Sequence, residues 1–306
     1  MRLVGDVGGT NTRLALSKAG QILPHTTKSY SNVDWDSFYD VLATYLAAST
    51  YAHPVEMVIA VAGPVQGGRA VLTNRNWNIE SRQLDDLFGC PAVHLLNDLT
   101  ALGYAVPLLK PSQLFCVSEG AQKQCEVAQS LVVGIGTGFN VSPVLQTSFS
   151  VICPAVEAGH VSMPLSIIIL LQAVGFKFDK YPTIEDLFSG RGFIDFCRHI
   201  TGRSDLDGPN AILFHGTLDG ADVTFAIDQY AILLGHLLKD LSLAYLPSAG
   251  IYFAGSVVRS VLKKSASQCI DILREPCNIH DISQTPVWVI QDDAAALIGC
   301  IGYSFQ

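Results

Sequence analysis

Apolar residues along this chain fall into two patterns, short continuous runs and longer stretches with helical spacing. The runs at 55–61 and 92–96 are rich in aliphatic residues and are followed by turn residues, which predicts buried strands. The stretch 35–48 carries apolar residues at helical spacing, and 225–245 has the length and periodicity of a long core helix. Strands that alternate with helices are typical of α/β proteins, so we expect an α/β fold.

Three further segments are predicted to be helical. The segment 81–88 is expected to have Ser81 as its N-cap. The run 165–176 is apolar almost throughout but too short to span a bilayer, which favours a buried helix over a membrane segment. The small, apolar residues of 294–303 predict a last helix.

A turn with two adjacent glycines separates two apolar runs within residues 3–16. Asp6, Gly8, Gly9, Thr10 and Asn11 lie at this turn. Glycine lets the backbone turn tightly and approach a ligand, and successive N–H groups in such a turn can bind an anion such as phosphate. The Asp6 carboxylate could hold a hydrated Mg²⁺ beside that phosphate. The pattern favours a phosphate-binding hairpin, and the alternative is an ordinary hairpin with glycine in its turn.

A second glycine turn, Gly136-Thr137-Gly138, follows a second apolar run, and Thr137 lies 127 residues after Thr10. Two such elements half a chain apart predict an internally duplicated fold. Neither turn is followed by Lys-Ser or Lys-Thr, so neither is a P-loop. Phe139 and Val141 stand where a dinucleotide-binding fingerprint would need glycine.

A carboxylate follows the strand predicted at 92–96, in the pair Asn97-Asp98. Ligands of α/β sheets gather at the carboxyl ends of the strands, so this position suits chemistry. As a general base, Asp98 would accept the proton of a substrate hydroxyl that attacks a phosphoryl group. The alternative is that Asp98 caps the helix that follows it, and the two roles are geometrically compatible.

Two more polar turns carry groups suited to a hydroxylated ligand. Glu157 and His160 flank a small-residue turn and together provide acceptors and donors for sugar hydroxyls, and the alternative is a loop glutamate beside a packed histidine. Glu185 precedes the turn at 189–192. It could be a ligand, but an acid at a helix N-terminus is also favourable for electrostatic reasons alone.

Composition narrows the class of protein. The 306 residues are 49% hydrophobic and 15% charged, which is typical of a well-packed globular protein with room for two domains. A net charge of −8 argues against a nucleic-acid partner. The eight cysteines form no close pairs, so we expect reduced thiols, and with no signal peptide or membrane segment a cytoplasmic location.

Taken in order along the chain, these motifs resemble those of the bacterial hexokinase-type glucokinases, the group without the zinc-binding cysteines of the repressor-and-kinase sugar family. The resemblance rests on 6–13, Gly63-Pro64, Thr73-Asn74 with Trp77, Asn97-Asp98, 136–138, Glu157 to His160, Glu185 with Ser189-Gly190, and Ala254-Gly255. It implies an actin-like ATPase (ribonuclease H-like) fold of two duplicated α/β domains with a cleft between them. The expected domains are 1–108 plus 292–306, and 109–291.

The resemblance also implies roles for individual residues. Asp98 looks like the catalytic base. The implied ligands of the sugar hydroxyls are Asn74, Asn97, Glu157, His160 and Glu185. The implied phosphate and Mg²⁺ region comprises Asp6, Gly8, Gly9, Thr10, Asn11, Gly136, Thr137 and Gly138, with Asp6 holding the metal through water and Gly255 near the adenosine.

These implications predict an ATP-dependent kinase that converts glucose to glucose 6-phosphate with MgATP, often as a homodimer. The chain departs from the family's pattern at Ala158, Phe139-Asn140, Arg191 and Ser256. The departures leave two alternatives open: a kinase for another hexose or hexose derivative, and a catalytically weak sugar-binding regulator.

Overall fold

The computed structural model describes residues 1–72, 75–120, 127–206, 221–277 and 281–304. Their contacts divide the chain into two compact units. Unit 1 comprises 1–110, 150–153 and 292–306, and unit 2 comprises 111–149 and 154–291. Relative to the boundaries expected from the sequence, the first lies two residues later, and 150–153 belongs to unit 1.

The strands follow the continuous apolar runs closely. They are β1 (Arg2–Val7), β2 (Asn11–Lys18), β3 (Gln21–Ile22), β4 (Lys28–Ser31), β5 (Glu56–Val61), β6 (Val65–Gln66), β7 (Arg69–Val71), β8 (Asn78–Glu80), β9 (Ala92–Asn97), β10 (Leu114–Ser118), β11 (Ala128–Ile135), β12 (Phe139–Gln146), β13 (Val151–Ile152), β14 (Gly250–Ala254) and β15 (Val287–Ile290).

The helices lie between these strands. They are α1 (Phe38–Ala47), α2 (Ser81–Phe88), α3 (Asp98–Ala105), α4 (Leu165–Ala173), α5 (Ile184–Leu187), α6 (Gly190–Thr201), α7 (Ala221–Tyr245), α8 (Ser256–Leu273) and α9 (Ala295–Gly302).

Unit 1 is built on a sheet with the strand order β3-β2-β1-β5-β9, in which β4 also pairs with β2. The hairpin β1–β2 is antiparallel, whereas β1, β5 and β9 are parallel. Both faces of the sheet are buried, which explains why its strands are continuous apolar runs. One face of β1 places Leu3 and Val7 in the core that includes α1, and the other places Val4 in a core shared with α3 and α9.

The packing of α9 against α3 is close. A Cβ on Gly299 of α9 would overlap the backbone carbonyl of Ala101 in α3, so glycine is required at this contact. Ala101, Ala296 and Leu297 are buried between these helices and the sheet. Residues nearly 200 positions apart in the chain therefore complete one core.

Unit 2 repeats the arrangement of unit 1. Its strands β10-β15-β14-β11-β12 lie in that order, with an antiparallel hairpin β11–β12 followed across the sheet by the parallel strands β14 and β15. Its core packs α4, α6, α7 and α8 against one face of the sheet, around the buried ring of Tyr230. Two copies of the same topology confirm the duplication predicted from the two glycine turns.

Two local predictions were wrong. Ser81 is the first residue of α2 and not its N-cap, because Glu80 occupies the cap position in extended conformation. The helix predicted at 165–176 ends at Ala173 and is only partly buried: Ile167 and Leu171 face the core, while Leu165 and Ile169 are 65% and 57% exposed. Within the residues described, no helix combines the length and apolar character needed to cross a membrane.

Candidate active site

The first glycine turn lies at the end of β1, and a buried asparagine holds it in place. The N–H of Gly8 donates to the carbonyl of Asn11 at 2.9 Å. Asn32, which is fully buried, donates from Nδ2 to the Gly8 carbonyl at 2.7 Å and accepts from the Thr12 hydroxyl at 2.8 Å. Its backbone N–H also donates to the carbonyl of Thr10 at 2.8 Å. The backbone of the turn is thereby fixed, while the side chains of Thr10 and Asn11 are exposed.

Asp6 lies on β1 just before this turn. Its Oδ2 is 3.5 Å from Nη1 of Arg13, which also donates to the carbonyl of Asp293 at 2.7 Å. Burial raises the pKa of Asp6 to about 6, the negative charge of Asp98 adds to this rise, and the Arg13 guanidinium opposes it. Asp6 is thus a carboxylate in a site where negative charge is incompletely balanced.

The carboxyl end of β9 leads directly into α3, and the cap of that helix is Asn97. Its Oδ1 accepts from the N–H of Leu99 at 3.0 Å and of Thr100 at 3.4 Å, and its Nδ2 donates to the Gly63 carbonyl at 3.1 Å. The alternative interpretation of Asp98 as the cap is therefore wrong, since Asp98 is the first residue inside the helix.

Asp98 is half-buried at the N-terminus of α3. Its Oδ1 accepts from the N–H of Leu99 at 2.9 Å, which stabilises the ionised form. Burial outweighs that bond and raises the pKa of Asp98 to about 6. A carboxylate with this pKa is ionised near neutral pH and yet basic enough to accept a proton, which is what a general base requires.

The negative charges of Asp98 and Asp293 both raise the pKa of Asp6, and carboxylate oxygens suit Mg²⁺ as ligands. In the part of the chain that the structure describes, no three His, Cys, Asp or Glu side chains form a cage for a metal ion. Mg²⁺ usually keeps several waters and takes only one or two protein carboxylates beside substrate phosphates. The residues present therefore fit Mg²⁺ held by Asp6 together with a phosphate-bearing substrate.

The second glycine turn joins β11 to β12 in unit 2. The N–H of Gly136 donates to the carbonyl of Gly138 at 3.0 Å, and the Gly136 carbonyl accepts from the N–H of Gly190 at 2.7 Å. Gly255 approaches the same turn with φ of +104°, and a Cβ on it would overlap the Ile135 carbonyl. Glycine is therefore required at 255 by its conformation and by its close approach to the turn.

Glu185 lies beside this turn. Its Oε2 accepts from the N–H of Phe139 at 3.0 Å, and its Oε1 is 3.3 Å from Nη2 of Arg191. A Cβ on Gly138 would lie 2.6 Å from the same Oε2, so glycine at 138 makes room for the carboxylate. The capping role in α5 belongs to Asp186, which forms a capping box with Thr183 and has a lowered pKa because the Thr183 hydroxyl donates to it. Glu185 is thus not needed as a cap.

Glu157 directly precedes a short 3₁₀ turn, Ala158–His160, that ends at His160, and both side chains are exposed. Asn140 of β12 donates to the carboxylate of Glu157 at 3.3 Å and also binds the backbone on either side of it. Gly159 packs against the Phe139 carbonyl and the side chain of Glu185, where a Cβ would overlap. The turn that carries Glu157 is thus held against the strand that follows the glycine turn.

The predicted site residues therefore form two clusters, one in each unit. Unit 1 brings together Asp6, Gly8, Gly9, Thr10, Asn11, Asn97 and Asp98, and unit 2 brings together Gly136, Thr137, Gly138, Glu157, His160, Glu185 and Gly255. Asn74, predicted as a sugar ligand, lies outside the described residues.

Four residues that hold these clusters were not predicted as parts of the site: Arg13, Asn32, Asn140 and Arg191. The sequence pointed to Asn140 and Arg191, since both depart from the pattern of the family that the chain resembles. It did not point to Asn32, because an isolated asparagine between a strand and a helix is common.

Comparison with known proteins gives a consistent result. The model of the family described as Glucokinase matches residues 3–305. A glucokinase of Yersinia pestis (strain Pestoides F) is 30% identical over 321 residues, which cover 99% of this chain and 96% of that protein.

Solved structures give the fold. A glucokinase from an Antarctic psychrotroph superposes with a TM-score of 0.83 at 23% identity, covering 98% of this chain and 97% of that one. A ROK family glucokinase from Streptomyces griseus, solved in complex with glucose and AMPPNP, superposes with a TM-score of 0.63 at 17% identity, covering 98% and 97%. The actin-like ATPase fold expected from the sequence is confirmed.

Proposed function

Because this chain belongs to the glucokinase family, we propose that it transfers the γ-phosphoryl group of ATP to glucose and so forms glucose 6-phosphate. It is an ATP-dependent hexose kinase, as its family membership and named relatives establish. The choice of glucose among hexoses is part of the proposal. It is supported by the relatives, which are named glucokinases.

Asp98 is the general base in this proposal. The observation that carries the assignment is a carboxylate at the carboxyl end of a parallel strand, with a pKa that burial raises to about 6. At neutral pH Asp98 is ionised, and it accepts the proton of the attacking hydroxyl as the new P–O bond forms. The hydroxyl proton goes to Asp98, and the bond between the β,γ-bridging oxygen and the γ-phosphorus breaks.

The two glycine turns hold the phosphates of ATP in the proposal. The backbone N–H groups that are not bonded within the turns would donate to phosphate oxygens, and the absence of side chains at Gly8, Gly9, Gly136 and Gly138 would let the phosphates approach the backbone. Asp6 would hold Mg²⁺ through water, and the ion would supply positive charge against the transferring phosphoryl group. Gly255 would lie next to the adenosine.

The proposed ligands of the sugar hydroxyls are the residues that the family resemblance assigns. Glu157 and Glu185 accept from hydroxyls, and His160 can donate or accept. Asn97 and Asn74 complete the set, and Asn74 lies outside the described residues. Each hydroxyl that loses its partner weakens binding, because a buried polar group is left unsatisfied. The arrangement therefore supports selection among hexoses by hydrogen bonding.

The proposal includes a cytoplasmic homodimer. No disulfide joins the described cysteines, which fits a reducing compartment. Light scattering after size-exclusion chromatography tests the dimer directly.

The function is tested by ADP formation with MgATP across a panel of hexoses, run beside the Asp98→Ala variant. Turnover with glucose that is lost in the variant supports the reaction and its base together. Turnover confined to another hexose would reassign the substrate, and sugar binding with no turnover on any hexose would favour a sugar-binding regulator.

A further inference from the structure

Asn140 uses its whole amide to bind the segment that carries Glu157. Its Nδ2 donates to the Val156 carbonyl at 2.7 Å and to Oε2 of Glu157 at 3.3 Å. Its Oδ1 accepts from the N–H of Ala158 at 2.9 Å and from its own neighbour Val141 at 2.8 Å. All four hydrogen-bonding positions of the amide are satisfied. Three of the four bonds go to residues 156–158, which are 16 to 18 positions away in sequence.

The orientation of this amide is determined by its backbone partners. A backbone N–H can only donate, so Ala158 requires the oxygen of Asn140, and a backbone carbonyl can only accept, so Val156 requires the nitrogen. Exchanging the two ends of the amide would break both bonds. The second proton on Nδ2 is consequently directed toward the carboxylate of Glu157.

The side chain of Glu157 makes few other contacts that would fix its position. Among the described residues, Asn140 is the one side chain that hydrogen-bonds its carboxylate, and no cation pairs with it. The side chain of Glu157 is exposed, so without this bond it would be free to sample several rotamers. Glu185 differs, since it is bound by the Phe139 N–H and faces the charged Arg191.

We propose that Asn140 is a positioning residue for the sugar-binding carboxylate Glu157. It holds one carboxylate oxygen and the turn beneath it, so that the other oxygen is directed at a hydroxyl before the sugar arrives. Ordering the side chain in advance lowers the entropy lost on binding. A neutral amide leaves the negative charge of Glu157 uncompensated, which keeps it a strong acceptor. This inference rests on the proposed role of Glu157 as a ligand of the sugar.

The test compares the steady-state kinetics of Asn140→Ala and Asn140→Asp with those of Glu157→Ala. Asn140→Ala is expected to raise the KM for glucose about ten-fold, the effect of losing roughly one charge-assisted hydrogen bond, with kcat and the KM for ATP changed less than about two-fold. Asn140→Asp keeps the oxygen acceptor for Ala158 although it loses the donor to Val156, and it is the second variant to be measured if the alanine variant does not fold. Gln146→Ala, an exposed change on the same strand, is the control and should leave all constants unchanged.

Asn140→Asp distinguishes the positioning of Glu157 from a purely structural role of Asn140. Two carboxylates then face each other, and their mutual repulsion is expected to raise the KM for glucose further than Asn140→Ala does. In the double variant Asn140→Asp with Glu157→Gln, the new amide at 157 can donate to the new carboxylate at 140. Its KM for glucose is expected to be about ten-fold lower than the two single changes predict together.

The outcomes separate this inference from the proposed function. A raised KM for glucose in Glu157→Ala, with unchanged KM in both Asn140 variants and no coupling in the double variant, overturns the positioning role alone. An unchanged KM in Glu157→Ala removes Glu157 from the sugar site and overturns both. A raised KM for glucose in Glu157→Ala and in both Asn140 variants, with coupling in the double variant, supports both the positioning role and the proposed function.

Discussion

Replacing Asp98 with asparagine measures the free energy that this protein spends on burying the carboxylate proposed as its catalytic base. Burial raises the pKa of Asp98 from 3.8 to about 6, and a difference of about 2 in pKa corresponds to ~3 kcal/mol that the ionised form costs at neutral pH. Because Asp98 lies in the first turn of α3, the helix dipole stabilises its ionised form by up to about 1 kcal/mol, which offsets part of this cost. Asparagine can still accept from the Leu99 N–H, so the variant should be more stable by about 2 kcal/mol.

The sign of the pH dependence follows from the raised pKa. Below about pH 4 the carboxyl of Asp98 is neutral in both the folded and unfolded states, and the penalty is absent. Between about pH 4 and about pH 6 the unfolded state loses its proton first, so the free energy of unfolding falls as pH rises. The advantage of Asp98→Asn should therefore be full at pH 7.5 and should shrink as pH falls toward 4.

The assay pairs thermal unfolding with turnover. At pH 7.5 the variant should melt about 3 °C higher than the wild type, while kcat falls by roughly 10²- to 10⁴-fold because the proposed base is missing. Asp86→Asn, the same change at an exposed position on α2, should alter stability by less than about 0.5 kcal/mol. Equal stabilisation at pH 7.5 and at pH 4.5, or none at either, would refute the account of Asp98. Retained turnover would refute its role as the base.

Three other predictions follow. In the wild type, kcat/KM should fall as pH drops through about 6, since Asp98 is then protonated; a flat profile down to pH 5 would contradict its role. Asn32→Ala should lower the free energy of unfolding by about 3 kcal/mol, because the buried Thr12 hydroxyl and Gly8 carbonyl lose their partner, and should raise the KM for ATP; denaturant titration and kinetics measure both. Arg191→Ala should raise the KM for glucose only two- to three-fold, because this side chain is 66% exposed and its ion pair is weak, and Arg191→Lys should recover part of the loss; a ten-fold rise would show that the pair is stronger than its exposure allows.

The strands and the duplicated topology could be predicted from the sequence because their cause is local. A sheet covered on both faces needs continuous apolar runs, and the runs at 55–61 and 92–96 became the parallel strands β5 and β9. Helix ends were less predictable. Ser81 has the chemistry of a cap, but the backbone of Glu80 occupies that position because β8 continues directly into α2.

The contacts that hold the site could not be read from patterns along the chain. Asn32 binds the turn at Gly8 across 24 positions, and Asn140 binds the turn at Glu157 across 17. Periodicity reports which face of an element is buried, and it carries no information about which distant backbone groups a polar side chain reaches. The partial burial of α4 was missed for a related reason, since an apolar helix has the same sequence whether it is covered by its own chain or left exposed.

The return of α9 to unit 1 sets an order of events during synthesis. One face of the unit 1 sheet is covered by α3 together with α9, and α9 begins 190 residues after α3 ends. At ~5–20 residues per second, the ribosome takes roughly 10 to 40 s to make the intervening chain. For that interval Val4, Val58 and Ala60 lack part of their covering, while all the residues of unit 2 are already made before α9 emerges. The unit that carries the proposed base is therefore the one whose translation begins first and whose core is completed last.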